Sequence, residues 1–404
     1  MARPSRGYEI GLLILLTFAN GVVGLDRLTA SFLSPYIVAD LKLTNTQLGL
    51  LGASLSLAIA VSAFLLGRVA DRTGKRKTIL VACTIVFSVG SALGGFASGF
   101  LFLFLARFAL GLAEGPMVPV GQAMMADASA PARRGLNMGL MQMVGAFLLG
   151  AMIGPILATH IADAYGWRAA FFLSGVPGLL LALGLALYVR DTPKPAARED
   201  RLPLLATIAT LLRIRNMRIA IALAAVYSAW VMVQNVFLPV YLTQAKGLSS
   251  TTMGWVLGMC GLAGMAGGIL LPGLSDRIGR RPVCAITCFA SIGTPIALLL
   301  IPAGSAVPLA LAILIGWIPI GIAPLYCAVI PSESVPPAMV TSAIGLAMGT
   351  DELLGGVVAP FAAGNAADAF GLAAPLWLCL GFAIIAGLLA LMLEETAPML
   401  RRDR

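Results

Sequence analysis

An arginine and a glutamate lie seven residues apart inside a long apolar segment. The stretch reads Leu105-Ala-Arg-Phe-Ala-Leu-Gly-Leu-Ala-Glu-Gly-Pro116 and contains Arg107 and Glu114. Seven residues are almost two full turns of an α-helix, so both side chains point to the same side of it. A charge at the centre of a membrane helix costs about 2.5–3.5 kcal/mol. The pair therefore indicates a function such as ion binding or proton transfer, with a buried packing contact between helices as the alternative.

A second charged pair, Asp26 and Arg27, lies in the first apolar segment of the chain. Adjacent residues of an α-helix point about 100° apart. We therefore expect one of the two side chains to line a cavity and the other to face a neighbouring helix. An arginine in a restricted, low-dielectric cavity can hold a carboxylate through two parallel hydrogen bonds. When an anion binds there, a nearby carboxyl group takes up a proton more readily, which links the two binding events.

The chain as a whole is far more apolar than a soluble protein. It has 404 residues, of which 59% are hydrophobic and only 11% are charged, whereas about 25% of the residues of a soluble domain are charged. Hydropathy, with Gly, Pro and charge punctuation, predicts an all-α membrane protein with twelve transmembrane helices. The predicted cores of these spans are 10–37, 47–69, 79–97, 100–126, 136–160, 169–189, 219–241, 252–272, 283–301, 307–330, 340–367 and 374–393.

Basic residues are distributed unevenly between the two sides of this arrangement. Of the 27 lysines and arginines, 22 fall in termini or loops on one side, whereas the opposite loops hold Lys42, Arg168 and Lys246. This bias accounts for the net charge of +9 without a nucleic-acid partner, and it predicts that both termini are cytoplasmic. We expect a multi-pass protein of the cell's inner (plasma) membrane.

The six cysteines lie in or at the edges of apolar segments, and the only histidine, His160, stands apart from them. This pattern favours small apolar residues over a disulfide framework or a metal site. We therefore expect neither a metal nor an organic cofactor.

The second half of the chain repeats the first at an offset of 205 residues, without a gap. The matched pairs are Asp71 and Asp276, Arg72 and Arg277, Gly74 and Gly279, Gly111 and Gly316, Pro119 and Pro324, Ser129 and Ser334, Pro131 and Pro336, Gly150 and Gly355, Pro155 and Pro360, and Gly166 and Gly371. They predict two pseudo-symmetric six-helix bundles, at 1–189 and 219–404. A Pro-rich, charged cytoplasmic linker at 190–218 joins them.

The loop after span two reads Gly67-Arg-Val-Ala-Asp-Arg-Thr-Gly-Lys-Arg-Lys77, and its repeat reads Leu274-Ser-Asp-Arg-Ile-Gly-Arg-Arg281. This loop resembles the signature between helices two and three of the major facilitator superfamily, and the resemblance covers essentially the whole chain. It implies two bundles that enclose a central site and rock about it. The alternative role of the loop is a topological anchor. The resemblance assigns a gate function to Gly67, Asp71, Arg72, Gly74, Arg76, Asp276, Arg277, Gly279 and Arg280.

Within that superfamily, Asp26-Arg27 in span one with Arg107 and Glu114 in span four resembles the anion:cation symporter family, which carries organic anions with protons. The segment Gly166-Trp-Arg-Ala-Ala-Phe-Phe-Leu-Ser-Gly175 is similar to that family too. Spinster-like lipid transporters share the Asp-Arg pair and the glutamate of span four. The resemblance implies that Arg27 or Arg107 contacts the anion and that Asp26 and Glu114 carry protons.

The second half lacks these charges, because at the 205-residue offset Asp26, Arg27 and Arg107 align with Val231, Met232 and Ala312. Span seven instead offers Gln234 and Asn235, which could hydrogen-bond a substrate.

Span eleven contains Asp351 and Glu352 near its middle, where the anion-transporter pattern has neutral polar residues. These acids could be further proton-coupling sites, or could pair with Arg27 or Arg107. They could also bind a cationic or zwitterionic substrate, or form an ion pair of the gate.

Together these observations predict a secondary active transporter that moves a small organic anion, a carboxylate, by proton-coupled symport with alternating access. The alternative is a proton-coupled exporter of amphiphilic or lipid-like molecules or drugs. A transporter-like sensor is a third reading, but the loops are too short for a signalling domain. The sequence has no Walker loop and no nucleophile–base set, so we expect neither ATP-driven transport nor an enzyme. We expect a monomer in the lipid bilayer that binds its small-molecule substrate and a proton.

Overall fold

The structure is a computed structural model that describes residues 5–73, 75–130, 133–190, 204–336 and 339–397. Within these ranges, twelve helices are long and apolar enough to cross a membrane, as the sequence predicts. The first six spans are Arg6–Phe32, Asn45–Ala63, Arg76–Phe96, Phe100–Ala128, Leu136–Tyr165 and Trp167–Tyr188. The last six are Arg215–Ala245, Ser250–Ile278, Arg280–Leu300, Ala306–Ser334, Ser342–Phe370 and Ala374–Leu391. The helix of span two continues to Thr73.

Span one ends earlier than the sequence predicts. The predicted core runs to residue 37, but the helix stops at Phe32 and a new helix, Ser34–Leu41, follows. Pro35 lies in the first turn of that second helix, where its missing N–H is not needed. In a continuous helix the same proline would remove the hydrogen bond to the carbonyl of Ser31 and would clash with it. The proline therefore ends the span.

Some spans of the described chain contain π-helical turns, which take up more residues per turn than an α-helix and are frequent at functional sites. They cover Met141–Ile153 in span five, Tyr241–Ala245 in span seven, Leu325–Val329 in span ten and Asp351–Val358 in span eleven. The turn in span eleven begins with the two acids that the sequence singles out. Its wider winding changes the direction in which their side chains leave the helix.

The described helices cluster into two compact units. Unit 1 comprises Met1–Leu43, Ser54–Ala197 and Ser249–Leu262, and unit 2 comprises Thr44–Ala53, Arg198–Leu248 and Ala263–Arg404. The units follow the two halves of the sequence except that span two begins in unit 2 and span eight begins in unit 1. A short helix, Leu204–Arg213, lies in the segment predicted as the linker.

Small residues bring the helices of unit 1 close together. A Cβ on Gly150 of span five would lie only 2.9 Å from the carbonyl carbon of Gly24 in span one. Gly111 and Gly115 of span four lie against span two, and the carbonyl of Gly111 accepts a 3.1 Å hydrogen bond from Ser62. In a membrane, such close contacts replace the hydrophobic effect as the basis of helix association. They fix span one, with Asp26 and Arg27, and span four, with Arg107 and Glu114, within unit 1.

Candidate functional site

Arg107 and Glu114 of span four both face span one, as their spacing predicts. The two residues are buried, with 3% and 2% of their surface exposed. Arg107 Nη1 donates a 2.9 Å hydrogen bond to the backbone carbonyl of Asp26, and Glu114 Oε1 lies 3.9 Å from Arg27 Nη1. The Arg107 guanidinium also lies 5.2 Å from the centre of the Phe171 ring, in a cation–π contact. The structure thus brings together the four charged residues that the sequence singles out in the first half.

Asp26 and Arg27 point to different sides of span one, as expected for neighbours in a helix. Asp26 is fully buried, whereas 26% of the Arg27 side chain is exposed. Ser91 of span three and Ser174 of span six both donate hydrogen bonds to Asp26 Oδ1, the second with a length of 3.1 Å. Asp26 therefore faces the interior of unit 1, and Arg27 is the most accessible of the four charged residues.

Asp26 and Arg107 meet through the backbone of span one and not through their charged ends. Arg107 binds the carbonyl of Asp26, and its Nη2 has no hydrogen-bond partner among the described residues. Asp26 Oδ2 is likewise buried without a partner in the described ranges. An isolated buried charge is very costly, whereas a buried charge with an opposite charge close by is tolerated. Each of the two groups therefore depends on the other for its place in the interior.

The interior of unit 2 is aromatic. Trp230 of span seven stacks on Tyr227, with ring centroids 5.6 Å apart, and packs against Trp317 of span ten at the same distance. Gln234 is buried among them. Its Oε1 accepts a 3.2 Å hydrogen bond from Trp317 Nε1, and its Nε2 donates to the carbonyl of Trp230 at 3.4 Å. Its neighbour Asn235 is half-buried. The substrate contacts predicted for Gln234 and Asn235 stay predictions, and the amide of Gln234 is bonded inside unit 2.

Asp351 and Glu352 are half-buried in span eleven. The thiol of Cys327, in span ten, lies 3.9 Å from Asp351 Oδ1, within reach of a weak sulfur hydrogen bond. Both acids therefore lie at the border of the interior of unit 2. Their predicted role in proton coupling stays a prediction.

The gate motif after span two forms an ion pair within unit 1. Arg76 Nη1 lies 2.7 Å from Asp127 Oδ2, at the end of span four. The surroundings of the Asp71 and Arg72 side chains, the burial of Gly67 and the whole of Gly74 lie outside the described part of the chain.

The repeat of that motif in unit 2 forms a larger network. Arg280 lies 2.6 Å from Asp276 and 3.0 Å from Glu333, and the side chain of Arg277 is exposed. Gly279, just before Arg280, has a φ of 109°, a conformation that favours glycine. The predicted gate function of both motifs stays a prediction.

The segment at the start of span six, which resembles the anion:cation symporters, holds the short helix Ser34–Leu41 that follows span one. Trp167 Nε1 and Arg168 Nη1 donate to Asp40 Oδ2 at 3.1 and 2.6 Å, and Arg168 also donates to the carbonyl of Ala97. The hydrogen bonds from Arg168 and Trp167 lower the pKa of the Asp40 carboxyl. Trp167 and Arg168 therefore have a structural role within unit 1, whereas Phe171 and Ser174 of the same segment contact Arg107 and Asp26.

Ser91 and Ser174 are contacts of the charged cluster that the sequence does not predict as site residues, although Ser174 lies in the segment Gly166–Gly175. Serines are common in membrane helices and are often bonded to their own helix. The available signal is the repeat, since at the 205-residue offset these serines align with Ile296 and Cys379. Their polarity belongs to the first half, like that of Asp26.

The family model of the Major Facilitator Superfamily matches residues 16–353. The chain belongs to the Major Facilitator Superfamily. It is similar to a hexuronate transporter of Bacillus subtilis, with 30% identity over 305 residues that cover 69% of each protein. It is also similar to a probable sulfoacetate transporter of Cupriavidus necator, with 29% identity over 291 residues that cover 69% of this chain and 66% of the other.

This superfamily member also resembles the solved structure of a bacterial homologue of the human lysosomal transporter Spinster, in an inward-facing and unoccupied conformation. The TM-score is 0.80 with 18% identity, and the match covers 99% of each chain. At that identity the likeness shows the fold alone. The family match, the named relatives and the twelve spans establish a multi-pass membrane transporter and not an enzyme.

Proposed function

We propose that this transporter carries a small organic anion, a carboxylate, across the membrane together with a proton. The observation that carries the proposal is the pair of Arg27 and Glu114, in which a partly exposed guanidinium lies 3.9 Å from a buried carboxylate. A guanidinium keeps its charge at any physiological pH and can hold a carboxylate through two parallel hydrogen bonds. The named hexuronate and sulfoacetate relatives support organic anions as the substrate class.

Of the two arginines predicted to contact the anion, we propose Arg27. The Arg107 guanidinium is held between the carbonyl of Asp26 and the ring of Phe171, and it is almost fully buried. Its charge is close enough to act on Asp26 and Glu114. In this proposal Arg107 balances the two buried acids, while Arg27 meets the substrate.

Coupling to the proton follows from competition for Arg27. A substrate carboxylate that binds Arg27 takes away the charge that favours ionised Glu114, so Glu114 binds a proton more readily. In the reverse order, a protonated Glu114 no longer attracts Arg27, which then binds the anion more tightly. The two effects are one coupling free energy and are equal in size. Asp26 is proposed as a second proton site, and alternating access exposes the loaded pair to each side in turn.

The proposed setting is the plasma membrane, with a monomer whose two termini are cytoplasmic. The concentration of basic residues in the loops of one predicted side supports this orientation. A reporter enzyme that is active only in the cytoplasm, fused after Arg404, should be active. Activity of a periplasm-only reporter at the same position would contradict the orientation.

Uptake into proteoliposomes tests the proposed function. The purified protein is reconstituted and given a hexuronate or sulfoacetate together with an inward proton gradient. We expect a transported acid to accelerate proton entry and to accumulate inside. The variant Arg218→Gln, which changes an exposed arginine of span seven, serves as a control and should behave like the wild type. If no organic acid accelerates proton entry, the proposal is wrong.

The alternative, export of amphiphiles, is tested in the same preparation with a lipophilic dye. A symporter of small acids leaves the distribution of the dye unchanged. Proton-driven movement of the dye, without proton entry on addition of an acid, would replace the proposed function by the exporter.

A further inference from the structure

Three side-chain oxygens and one backbone carbonyl form a chain in the interior of unit 1. Ser91 Oγ is in hydrogen-bond contact with Asp26 Oδ1, and Ser174 Oγ lies 2.5 Å from Ser91 Oγ. Ser174 Oγ also reaches the backbone carbonyl of Phe171 at 2.9 Å. Each of the two serines and Asp26 is at least nine-tenths buried. The chain therefore runs from the carboxylate through two hydroxyls to an acceptor that has no proton of its own.

We propose that Ser91 and Ser174 are positioning residues that keep the buried carboxyl of Asp26 hydrogen-bonded both with and without its proton. A hydroxyl donates one hydrogen bond and can accept two, so the chain can run in either direction. When Asp26 is ionised, Ser91 and Ser174 donate toward it. When Asp26 is protonated, it donates to Ser91, Ser91 donates to Ser174, and Ser174 donates to the carbonyl of Phe171.

This reversal solves a problem that burial creates. A carboxyl group that gains and loses a proton changes from an acceptor to a donor, and an unmade hydrogen bond in a buried site is costly. A rigid acceptor would satisfy only the protonated state, and a rigid donor only the ionised state. The two serines satisfy both by rotating their hydroxyls, and no backbone movement is required.

The serines are not needed merely to pack six helices. At the 205-residue offset, Ser174 aligns with Cys379, whose thiol lies 3.7 Å from the carbonyl of Trp230 in unit 2. Asp26 itself aligns with Val231. Unit 2 therefore forms its bundle with apolar or weakly polar groups at these positions. The hydrogen-bonded serines therefore occur in the unit that contains the buried carboxylate of Asp26.

Ser88 provides a matched control within the same span. It is buried like Ser91 and lies about one turn away, but its hydroxyl donates to the carbonyl of Thr84 in its own helix at 2.6 Å. Changing it removes a buried serine without touching Asp26. Among the described residues packed against Asp26, the charged group is Arg107 of span four, while Arg27 is turned toward Glu114. These charges are the same in every variant used below.

Infrared difference titration of the purified protein tests the proposal directly. The protonated-carboxyl band that is lost in Asp26→Asn reports the state of Asp26. Hydrogen bonds to a charged group are about twice as strong as neutral ones. Ser91→Ala with Ser174→Ala should therefore weaken the ionised state more and move the midpoint about one pH unit upward. Ser88→Ala should leave it in place, and Ser91→Thr with Ser174→Thr, which keeps both hydroxyls, should stay close to the wild type.

The proposal rests on the proposed function for its use in transport, but the titration does not require transport. An unmoved midpoint in the double alanine variant, or an equal shift in Ser88→Ala, would overturn the inference even if uptake is proton-driven. If the midpoint moves as expected while no acid drives proton entry, the inference stands and the proposed function fails. Thermal unfolding of each variant distinguishes a positioning role from a packing role. If Ser88→Ala and the double alanine variant lose equal stability and have the same titration midpoint for Asp26, the serines only pack.

Discussion

In unit 1, spans one, three, four and six meet around two buried acids, a buried arginine and two serines. In unit 2, span seven meets span ten around stacked aromatic rings, and Gln234 is a neutral polar group bonded among them. The offset of 205 residues aligns Asp26 with Val231 and Arg107 with Ala312. The same repeat is therefore compatible with a charged interior and with an aromatic one.

The charges of unit 1 are therefore not a requirement of the fold. A buried ion pair can often be replaced by apolar groups of similar size without loss of stability, while removal of one partner is strongly destabilising. Unit 2 is an example of such a replacement, because it has Val231 and Ala312 at the positions of Asp26 and Arg107. The presence of these charges in unit 1, despite this cost, points to a use in transport. Four sets of variants test the contrast, in order of decreasing expected effect.

The largest effect is expected from Arg107→Ala. It leaves Asp26 and Glu114 as buried negative charges without their buried positive neighbour, and should cost about 3–5 kcal/mol of stability. The double variant Asp26→Val with Arg107→Ala copies the residues of unit 2 and should recover much of that loss. Unfolding of the wild type, the two single variants and the double variant gives the coupling energy. If the double variant is no more stable than Arg107→Ala, the apolar residues of unit 2 cannot replace the charged pair of unit 1.

The second effect concerns substrate affinity. Arg27→Gln removes the proposed anion contact and should raise the KM for a transported acid about 10- to 100-fold. It should cost less stability than Arg107→Ala, because the Arg27 side chain is partly exposed and Arg107 still balances Glu114. The KM of Arg27→Lys should lie between those of the wild type and Arg27→Gln, since lysine keeps the charge but cannot form two parallel hydrogen bonds. Uptake kinetics in proteoliposomes measure both variants, with Arg218→Gln as the control. An unchanged KM in Arg27→Gln would remove Arg27 from the substrate site.

The third effect tests whether the interior of unit 2 is structural. Gln234→Leu leaves the indole N–H of Trp317 buried without its acceptor, and should lower the unfolding free energy by about 1–3 kcal/mol. The KM should change little. Asn235→Leu, at the half-buried neighbour, is the matched variant and should affect stability less. If Gln234→Leu instead raises the KM and leaves stability intact, Gln234 is a substrate contact as the sequence predicts. The interiors of both units would then take part in substrate binding.

The smallest effect lies at the helix ends of unit 2. The carboxylate of Asp368 accepts hydrogen bonds from the backbone N–H groups of Asn45 and Thr46, at 2.9 and 2.8 Å, and so caps the start of span two. Asp368→Ala should cost about 1 kcal/mol, while Asp368→Asn, which keeps one acceptor, should cost less. Thermal unfolding measures both. Equal losses in the two variants would show that the charge, and not the cap, matters.

Much of this architecture can be predicted from the sequence because it depends on local properties. Hydropathy predicts the twelve spans, and helix geometry predicts that Asp26 and Arg27 diverge. The end of span one at Phe32 is a local effect as well, since it is caused by Pro35. The prediction that span one extends to residue 37 was wrong, because it followed hydropathy and neglected the effect of Pro35.

The polar contacts of the interior could not be predicted in the same way. Ser88 and Ser91 are the same residue type on one helix, yet Ser88 bonds its own helix and Ser91 bonds Asp26. Gln234 and Asn235 are adjacent amides, and the packing of span ten against span seven decides that Gln234 binds Trp317. Residue type and spacing do not contain this information, because it arises from which helices become neighbours.

The role of Glu114 in proton coupling is tested most directly by two assays on Glu114→Gln in proteoliposomes. Glutamine resembles the protonated glutamate and cannot release a proton. Uptake driven by a proton gradient should therefore fall about tenfold or more, while exchange of internal for external substrate, which needs no net proton movement, should stay near the wild-type rate. Loss of both activities would indicate that Glu114 is a structural partner of Arg27. Retention of proton-driven uptake would contradict the claim that Glu114 couples the proton to the anion.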